Sequence, residues 1–247
     1  MSMKIIEVEN YEQMSQAAAN YIIEKVKQNP TLTLGLATGG TPKGTYEQLI
    51  NDHGENGTSY EQVTTFNLDE YIGFSGEHPS SYRYYMDEQL FHHINVPKAQ
   101  THIPKGDADD MEQECVRYEK LIDDHGGIDL QILGIGSNGH IGFNEPGTKF
   151  GAKTHIVTLD ESTREANSRY FKSMDEVPRF AISMGIASIM KSREILLLVS
   201  GESKKEAMKQ LLCGEVTESF PASILQLHPN VTIIADQQAL AVAKDYC

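Results

Sequence analysis

The chain has 247 residues, and its 35 acidic and 21 basic side chains give a formal net charge of −14 with neutral histidines. This length suits one large α/β domain, since such domains often run to roughly 200–250 residues. The negative excess opposes the phosphate contacts from which nucleic-acid-binding proteins gain affinity, so we expect no nucleic-acid partner. An anionic substrate would have to be held by a few local cations and backbone amides.

The sequence shows neither a leader nor a membrane segment. Glu7, Glu9 and Glu12 interrupt the region where a signal peptide has its apolar stretch. The best apolar run, Ile195–Val199, is far shorter than the roughly 20 residues that cross a membrane. We therefore expect a soluble, cytoplasmic protein with no membrane partner.

Apolar segments typical of strands alternate along the chain with longer stretches of helical periodicity. The predicted strand and helix pairs are, in chain order, Met3–Val8 with Tyr11–Gln28, Thr31–Ala37 with Thr41–Asn51, Ile195–Ser200 with Lys204–Leu212, and Val231–Ala235 with a terminal helix. Two further strands, Gln62–Asn67 and Leu130–Ile135, run into polar loops that contain glycine.

This alternation predicts an α/β fold with a doubly wound, mostly parallel sheet and helices on both faces, similar to a Rossmann fold. We expect a single catalytic domain over residues 1–247, in which Asp160–Ile182 forms a more polar, helical flap. Ligands of open α/β sheets bind beyond the carboxyl ends of the strands, so the loops at those ends are the places to look for chemistry.

The first such loop, residues 34–45, reads L-G-L-A-T-G-G-T-P-K-G-T. We predict that Thr41 caps a helix whose first residue is Pro42. Gly39 and Gly40 let the backbone approach an anion closely, and a helix N-terminus supplies unpaired N–H groups, so the segment suits a phosphate. An ordinary tight turn is an equally good interpretation. The P-loop pattern fails because Thr45 stands where it requires lysine.

The second segment, residues 65–71, reads T-F-N-L-D-E-Y and follows a predicted strand. Asp69 is a candidate general base, because a partly desolvated carboxylate has a pKa suited to moving a carbon-bound proton. The alternative is a solvated acidic turn formed by Asp69 and Glu70, which is a common arrangement in so acidic a chain.

The third segment, residues 134–147, reads G-I-G-S-N-G-H-I-G-F-N-E-P-G. Its G-x-G-x-x-G spacing would fit a dinucleotide site with Asp160 on the ribose, but that fingerprint must open a helix, and glycine and proline break this chain repeatedly. The loop presents Asn138, His140 and Glu145, and a histidine oriented by a carboxylate shuttles protons near neutral pH. A structural loop histidine is the alternative. A metal site would need a third ligand, which the segment lacks.

Two cations are candidates for holding an anion. Lys204 follows a strand and a glycine in L-V-S-G-E-S-K-K, and Arg169 lies in the expected flap. The alternative for both is a solvated helix face, which is our interpretation of Lys205.

Taken together, T-G-G-T-P, F-N-L-D-E-Y, G-H-I-G-F-N-E-P and S-G-E-S-K resemble, in this order and spacing, the glucosamine-6-phosphate deaminases. The resemblance extends from Leu34 to Pro229. It implies a Rossmann-like fold and the conversion of glucosamine 6-phosphate and water to fructose 6-phosphate and ammonia. It also implies that no cofactor and no metal take part, because the substrate supplies its own electron sink.

The resemblance assigns a role to each candidate residue. Asp69 matches the proton acceptor of the enolisation step, His140 the acid–base residue of ring opening, and Glu145 its carboxylate partner. Asn138 is a departure, since many members have aspartate there, although others carry asparagine. The positions around the substrate phosphate are Gly39, Gly40, Thr41, Arg169 and Lys204.

Two other functions are consistent with part of this pattern. A sugar-phosphate lactonase of the related fold shares the glycine–histidine loop, and a sugar-phosphate-binding regulatory domain would be expected to carry a separate DNA-binding motif. Allosteric deaminases carry an arginine and a lysine two positions apart after F-N-E-P, where this chain has His155 and Val157, and a longer tail than one ending at Cys247. We therefore expect no effector site. The sequence leaves the oligomeric state open.

Overall fold

The computed structural model describes residues 3–242, except the side chains of residues 162, 166 and 170. The strands are β1 (Lys4–Val8), β2 (Thr33–Leu36), β3 (Thr64–Asn67), β4 (Asp69–Tyr71), β5 (Thr101–His102), β6 (Leu130–Leu133), β7 (His155–Thr158), β8 (Phe180–Ser183), β9 (Glu194–Val199) and β10 (Val231–Asp236). The α-helices are α1 (Tyr11–Gln28), α2 (Gly40–Asn56), α3 (Tyr82–Gln89), α4 (Met111–Asp124), α5 (Glu161–Asn167), α6 (Ile186–Met190), α7 (Lys205–Cys213) and α8 (Gln237–Leu240).

Seven strands form a parallel sheet in the order β1-β10-β9-β6-β2-β3-β5. From β2 the chain proceeds through β3 to β5 at one edge, whereas β6 leads through β9 and β10 toward the other. The order therefore reverses between β2 and β6. Such a switch point opens a crevice at the carboxyl ends of the two strands, which is where α/β proteins bind their ligands.

Both faces of this sheet are covered by helices, which explains why its central strands are apolar throughout. Along β9, Ile195 and Leu197 belong to the core that contains α7, while Leu196 belongs to the core that contains α1. Successive side chains of a strand point to opposite faces, so a strand covered on both sides reads as a continuous apolar run. The prediction of a doubly wound, Rossmann-like α/β fold is confirmed.

The predicted helix Tyr11–Gln28 has the bounds expected from its pattern. The Asn10 side chain accepts the amide N–H of Gln13 at 2.9 Å and so caps the first turn. Met14, Ala18 and other apolar residues on one face of the helix are fully buried. A local cap and a periodic apolar face therefore account for where this helix begins and which face it buries.

A second sheet was not predicted. Strands β4, β8 and β7 pair antiparallel in that order and enclose a small aromatic and aliphatic core. The expectation of a helical flap over Asp160–Ile182 is wrong at its end, because Phe180–Ser183 is strand β8. The first part is helical, with α5 followed by short 3-10 turns at Ser168–Tyr170 and Met174–Glu176.

In residues 3–242, no helix is both long enough and apolar enough to cross a membrane. The expectation about the tail at Cys247 concerns a residue outside the described part of the chain.

Candidate active site

A cavity of about 250 Å³ lies at the reversal point of the large sheet. The predicted site residues that line it are Gly39, Gly40, Thr41, Asp69, Asn138, His140, Arg169 and Lys204. Glu145 lies behind this wall, 6% exposed, with its carboxylate toward His140. The fold thus brings together residues from five segments that are far apart in sequence.

One end of the cavity is formed by the start of α2. Gly39 has a φ of +100°, a left-handed conformation that favours glycine, and the helix begins directly after it at Gly40. The prediction that Thr41 caps the helix is wrong, because Thr41 and Pro42 already lie in its first turn. Since glycine has no side chain to cap the helix, the first amides stay available to an anion.

Two tyrosines that the sequence did not indicate hold this turn in place. The Tyr85 hydroxyl donates to the carbonyl of Gly39 at 2.7 Å, and the Tyr11 hydroxyl donates to that of Gly40 at 2.9 Å. The Tyr11 hydroxyl also accepts the Gly44 amide at 2.8 Å. These hydrogen bonds fix the orientation of the Gly39 and Gly40 carbonyls.

Two cationic residues, Lys204 and Arg169, also line the cavity. Lys204 directly precedes α7, and Arg169 lies in the 3-10 turn after α5. Burial and the nearby Arg169 charge lower the pKa of Lys204. Two cations held near each other at a helix N-terminus form a surface that a dianionic phosphate would neutralise. Lys205, by contrast, is paired with Glu202 at 2.9 Å.

Asp69 lies on β4 with its side chain in the cavity and is 6% exposed. Burial, followed by the charge of Glu70, raises its pKa to about 8. The alternative of a solvated acidic turn is wrong for this residue. A carboxyl group with such a pKa exchanges a proton readily near neutral pH.

The neighbouring Glu70 has a different task. Consecutive strand residues face opposite ways, and Glu70 accepts the backbone N–H groups of Tyr71, Tyr82 and Arg83 at 2.8 to 2.9 Å. Burial raises its pKa to about 7, although these hydrogen bonds oppose the shift. Glu70 therefore anchors the start of α3 outside the catalytic cavity.

The loop after β6 holds an acid–base arrangement. The Nδ1 atom of His140 lies 3.5 Å from Glu145 Oε2, and the Asn138 amide donates to the same oxygen at 2.9 Å. The backbone N–H of His140 donates to Asn138 Oδ1 at 3.1 Å. Burial disfavours the charged form of Glu145, but the hydrogen bonds from Thr163 and Asn138 and the nearby His140 ring outweigh it and lower its pKa.

The glycines of this loop make room for side chains of the protein. A Cβ atom at Gly136 would lie 2.3 Å from the His140 ring, and one at Gly139 would lie 2.2 Å from the Phe220 ring. The residues that follow form turns and an isolated bridge in place of a helix. Gly136 and Gly139 therefore make room for the rings of His140 and Phe220.

Sequence reasoning missed several residues of the site. Thr163 on α5 donates to Glu145 Oε1, and Tyr82 lines the cavity and donates to the Tyr71 hydroxyl at 3.2 Å. Neither has a local sequence signal, because each meets its partner only through the fold. Within residues 3–242, no group of three His, Cys, Asp or Glu side chains is arranged to hold a metal ion.

The chain is similar to known proteins along nearly its whole length. Residues 9–234 match the family described as glucosamine-6-phosphate isomerases/6-phosphogluconolactonase. The chain is 62% identical over 243 residues to the glucosamine-6-phosphate deaminase of Geobacillus sp. (strain WCH70), covering 98% of this chain and 97% of that protein. It is 52% identical over 240 residues to glucosamine-6-phosphate deaminase 1 of Bacillus subtilis (strain 168), covering 97% and 99%.

Solved structures share the fold of this chain. A monomeric glucosamine-6-phosphate deaminase superposes with a TM-score of 0.96 at 52% identity, covering 97% of this chain and all of that one. The 6-phosphogluconolactonase of Trypanosoma brucei superposes with a TM-score of 0.76 at 20% identity, covering 100% of this chain and 99% of that one. The second likeness is one of fold alone.

Proposed function

The chain belongs to the family of glucosamine-6-phosphate isomerases and 6-phosphogluconolactonases, and we infer that it is a glucosamine-6-phosphate deaminase. It converts glucosamine 6-phosphate and water to fructose 6-phosphate and ammonia, and we take residues 1–247 as one cytoplasmic, catalytic domain. One observation carries the proposal most directly. A buried carboxyl with a raised pKa, Asp69, lines the same cavity as His140, Lys204 and the start of α2, and Glu145 lies directly behind His140.

The phosphate end positions the substrate. The first amides of α2, Lys204 and Arg169 line one part of the cavity, and we assign the substrate phosphate to them. The sugar then extends toward Asp69 and His140. Because this anchoring is shared by the ground state and the transition state, it contributes mainly to binding and orientation.

Ring opening is the task of His140. The pyranose opens when its ring oxygen gains a proton and its anomeric hydroxyl loses one, and an imidazole transfers protons of this kind near neutral pH. Glu145 stabilises the imidazolium form from the Nδ1 side. Asn138 cannot contribute charge, but its amide keeps Glu145 oriented.

Asp69 then moves a carbon-bound proton. In the open aldehyde, the hydrogen on carbon 2 is acidified by the neighbouring carbonyl, and the Asp69 carboxylate removes it to give an enol. Return of the proton to carbon 1 leaves an imine at carbon 2. Water adds to that imine and ammonia leaves, which yields fructose 6-phosphate.

A first prediction concerns the phosphate. We expect Lys204→Ala or Arg169→Ala to raise the KM for glucosamine 6-phosphate by about 10- to 100-fold, since each charge-assisted hydrogen bond to an anion contributes roughly 1.5–3 kcal/mol. Binding of unphosphorylated glucosamine should change little. Steady-state kinetics and competition with glucosamine measure the two effects.

The matched control is Lys205→Ala, which removes a partly exposed lysine that is paired with Glu202 on the same segment and does not line the cavity, and it should leave KM unchanged. Equal weakening of the phosphorylated and unphosphorylated sugars by Lys204→Ala would contradict the assignment.

A second prediction concerns regulation. His155 and Val157 lie on β7, where the resemblance places the arginine and lysine of allosteric members. The His155 ring contacts the Lys153 carbonyl at 2.7 Å, and Val157 is buried in the core of the small sheet. Since allosteric coupling typically amounts to about 1–3 kcal/mol, loss of two cationic contacts would remove a useful response. We expect hyperbolic kinetics with no activation by N-acetylglucosamine 6-phosphate.

Initial rates over a range of substrate concentrations, with and without that compound, test this expectation. A sigmoidal curve that becomes hyperbolic in its presence would overturn it.

The experiment that tests the activity itself is release of ammonia from glucosamine 6-phosphate by the purified protein. A matched incubation with 6-phosphogluconolactone distinguishes it from a lactonase. We expect ammonia from the amino sugar and no acceleration of lactone hydrolysis.

A further inference from the structure

Thr163 is a buried residue at the start of α5 whose hydroxyl is committed to a single partner. It is 5% exposed and donates to Glu145 Oε1 across 18 residues of sequence. A threonine in the first turn of a helix usually bonds the local backbone. Here the hydroxyl instead satisfies a carboxylate on a different loop.

The two oxygens of Glu145 have separate partners. Oε1 receives the hydrogen bond from Thr163, while Oε2 receives the Asn138 amide and faces His140 Nδ1 at 3.5 Å. That last distance is the outer limit of a hydrogen bond. A small rotation of the carboxylate therefore decides whether His140 is bonded or not, and the hydroxyl on α5 restrains that rotation.

The same segment of chain also reaches the phosphate end of the cavity. Asn167 ends α5, Arg169 follows in the next turn, and both line the cavity together with Thr163. A short helix thus touches the anion-binding end with one terminus and the acid–base pair with the other. Because Thr163 and Arg169 lie on one short segment, a displacement of α5 would move both residues together.

We propose that Thr163 is a positioning residue that, from its place on α5, aligns Glu145 with His140. This inference rests on the proposed function, because it assigns His140 to ring opening and Arg169 to the phosphate.

The test compares Thr163→Val, which keeps the shape and removes the hydroxyl, with Thr163→Ser, which keeps the hydroxyl. We expect Thr163→Val to lower kcat by about 10- to 100-fold, as for the loss of a hydrogen bond to a charged group, with little change in KM. The acid limb of the pH profile should move to higher pH, because the lost donor no longer lowers the pKa of Glu145. Thr163→Ser should restore kcat and the pH profile.

Glu161→Gln, on the exposed side of the same helix, is the control for general effects of changing α5. If Thr163→Val has no cooperative thermal transition, Thr163→Ala replaces it with the same expectations. A purely structural role would lower thermal stability and leave the acid limb unmoved, which would overturn the inference.

Different results would show that the proposed function is wrong and that the role of Thr163 is wrong. If the parent protein releases no ammonia from glucosamine 6-phosphate, the proposed function is wrong and this inference is wrong with it. If the parent is active and Thr163→Val equals it in kcat and pH profile, only the role of Thr163 is wrong.

Discussion

Asp69→Asn is expected to reduce turnover of glucosamine 6-phosphate by about 10³- to 10⁴-fold, near the upper end of what a general base contributes. The change replaces one carboxylate oxygen by an amide nitrogen and preserves the shape of the side chain, but it removes the only group that we assign to carbon 2. Substrate binding should persist, because the phosphate end of the cavity is untouched. Exchange of the carbon-2 hydrogen with deuterated water should disappear together with ammonia release.

The same variant has a second, independent signature in stability. The raised pKa of Asp69, about 8 against an ordinary value of 3.8, means that the folded protein holds the proton more tightly than the unfolded chain. The stabilisation from the protonated carboxyl is therefore complete below about pH 4 and is lost as the pH rises to about 8. Asparagine has no such loss. The free energy of unfolding of the variant should exceed that of the parent increasingly between pH 5 and 8.

Asp109→Asn, at an exposed carboxylate outside the catalytic cavity, is the matched control and should alter neither turnover nor this pH dependence. Parental rates of carbon-2 exchange in Asp69→Asn would show that the base is another group.

The second large effect is expected at His140. Replacement by glutamine retains a polar side chain but no group that titrates near neutral pH, so ring opening loses its proton donor and acceptor. We expect kcat to fall by about 10²- to 10³-fold with KM nearly unchanged. The step that remains is spontaneous ring opening, and the residual rate should no longer depend on the protonation of an imidazole.

Rates from pH 5 to 9 measure both parts of this prediction. His92→Gln, at a largely exposed histidine outside the cavity, should match the parent. A His140→Gln variant with the parental pH profile would exclude the assigned role.

The elements of the central sheet were predictable because short segments of the sequence carry the patterns that form them. Strand β9 is a continuous apolar run, and α1 carries its cap and its periodic face within one segment. The small sheet was not predictable in this way. Strands β4, β7 and β8 have three or four residues each, and β4 pairs with β8 across more than 100 residues of chain. Such pairing depends on tertiary packing that no short window contains.

The same distinction holds inside the site. Residues carried by recognisable motifs, such as Asp69 and His140, line the cavity where the resemblance placed them, although their roles remain predictions. Thr41 was assigned wrongly as a cap because Gly39, with its left-handed φ, occupies the cap position, and the helix begins two residues sooner than the sequence suggests. Thr163 and Tyr85 carry no signal, since their hydroxyls find partners only after the chain has folded.

The most direct test of the central claim is a stoichiometric assay of the purified protein with glucosamine 6-phosphate in deuterated water. We predict that one ammonia is released for each fructose 6-phosphate formed, and that solvent deuterium is incorporated at carbon 1, to which Asp69 returns the proton. Release of neither product, or formation of fructose 6-phosphate without ammonia, would contradict it.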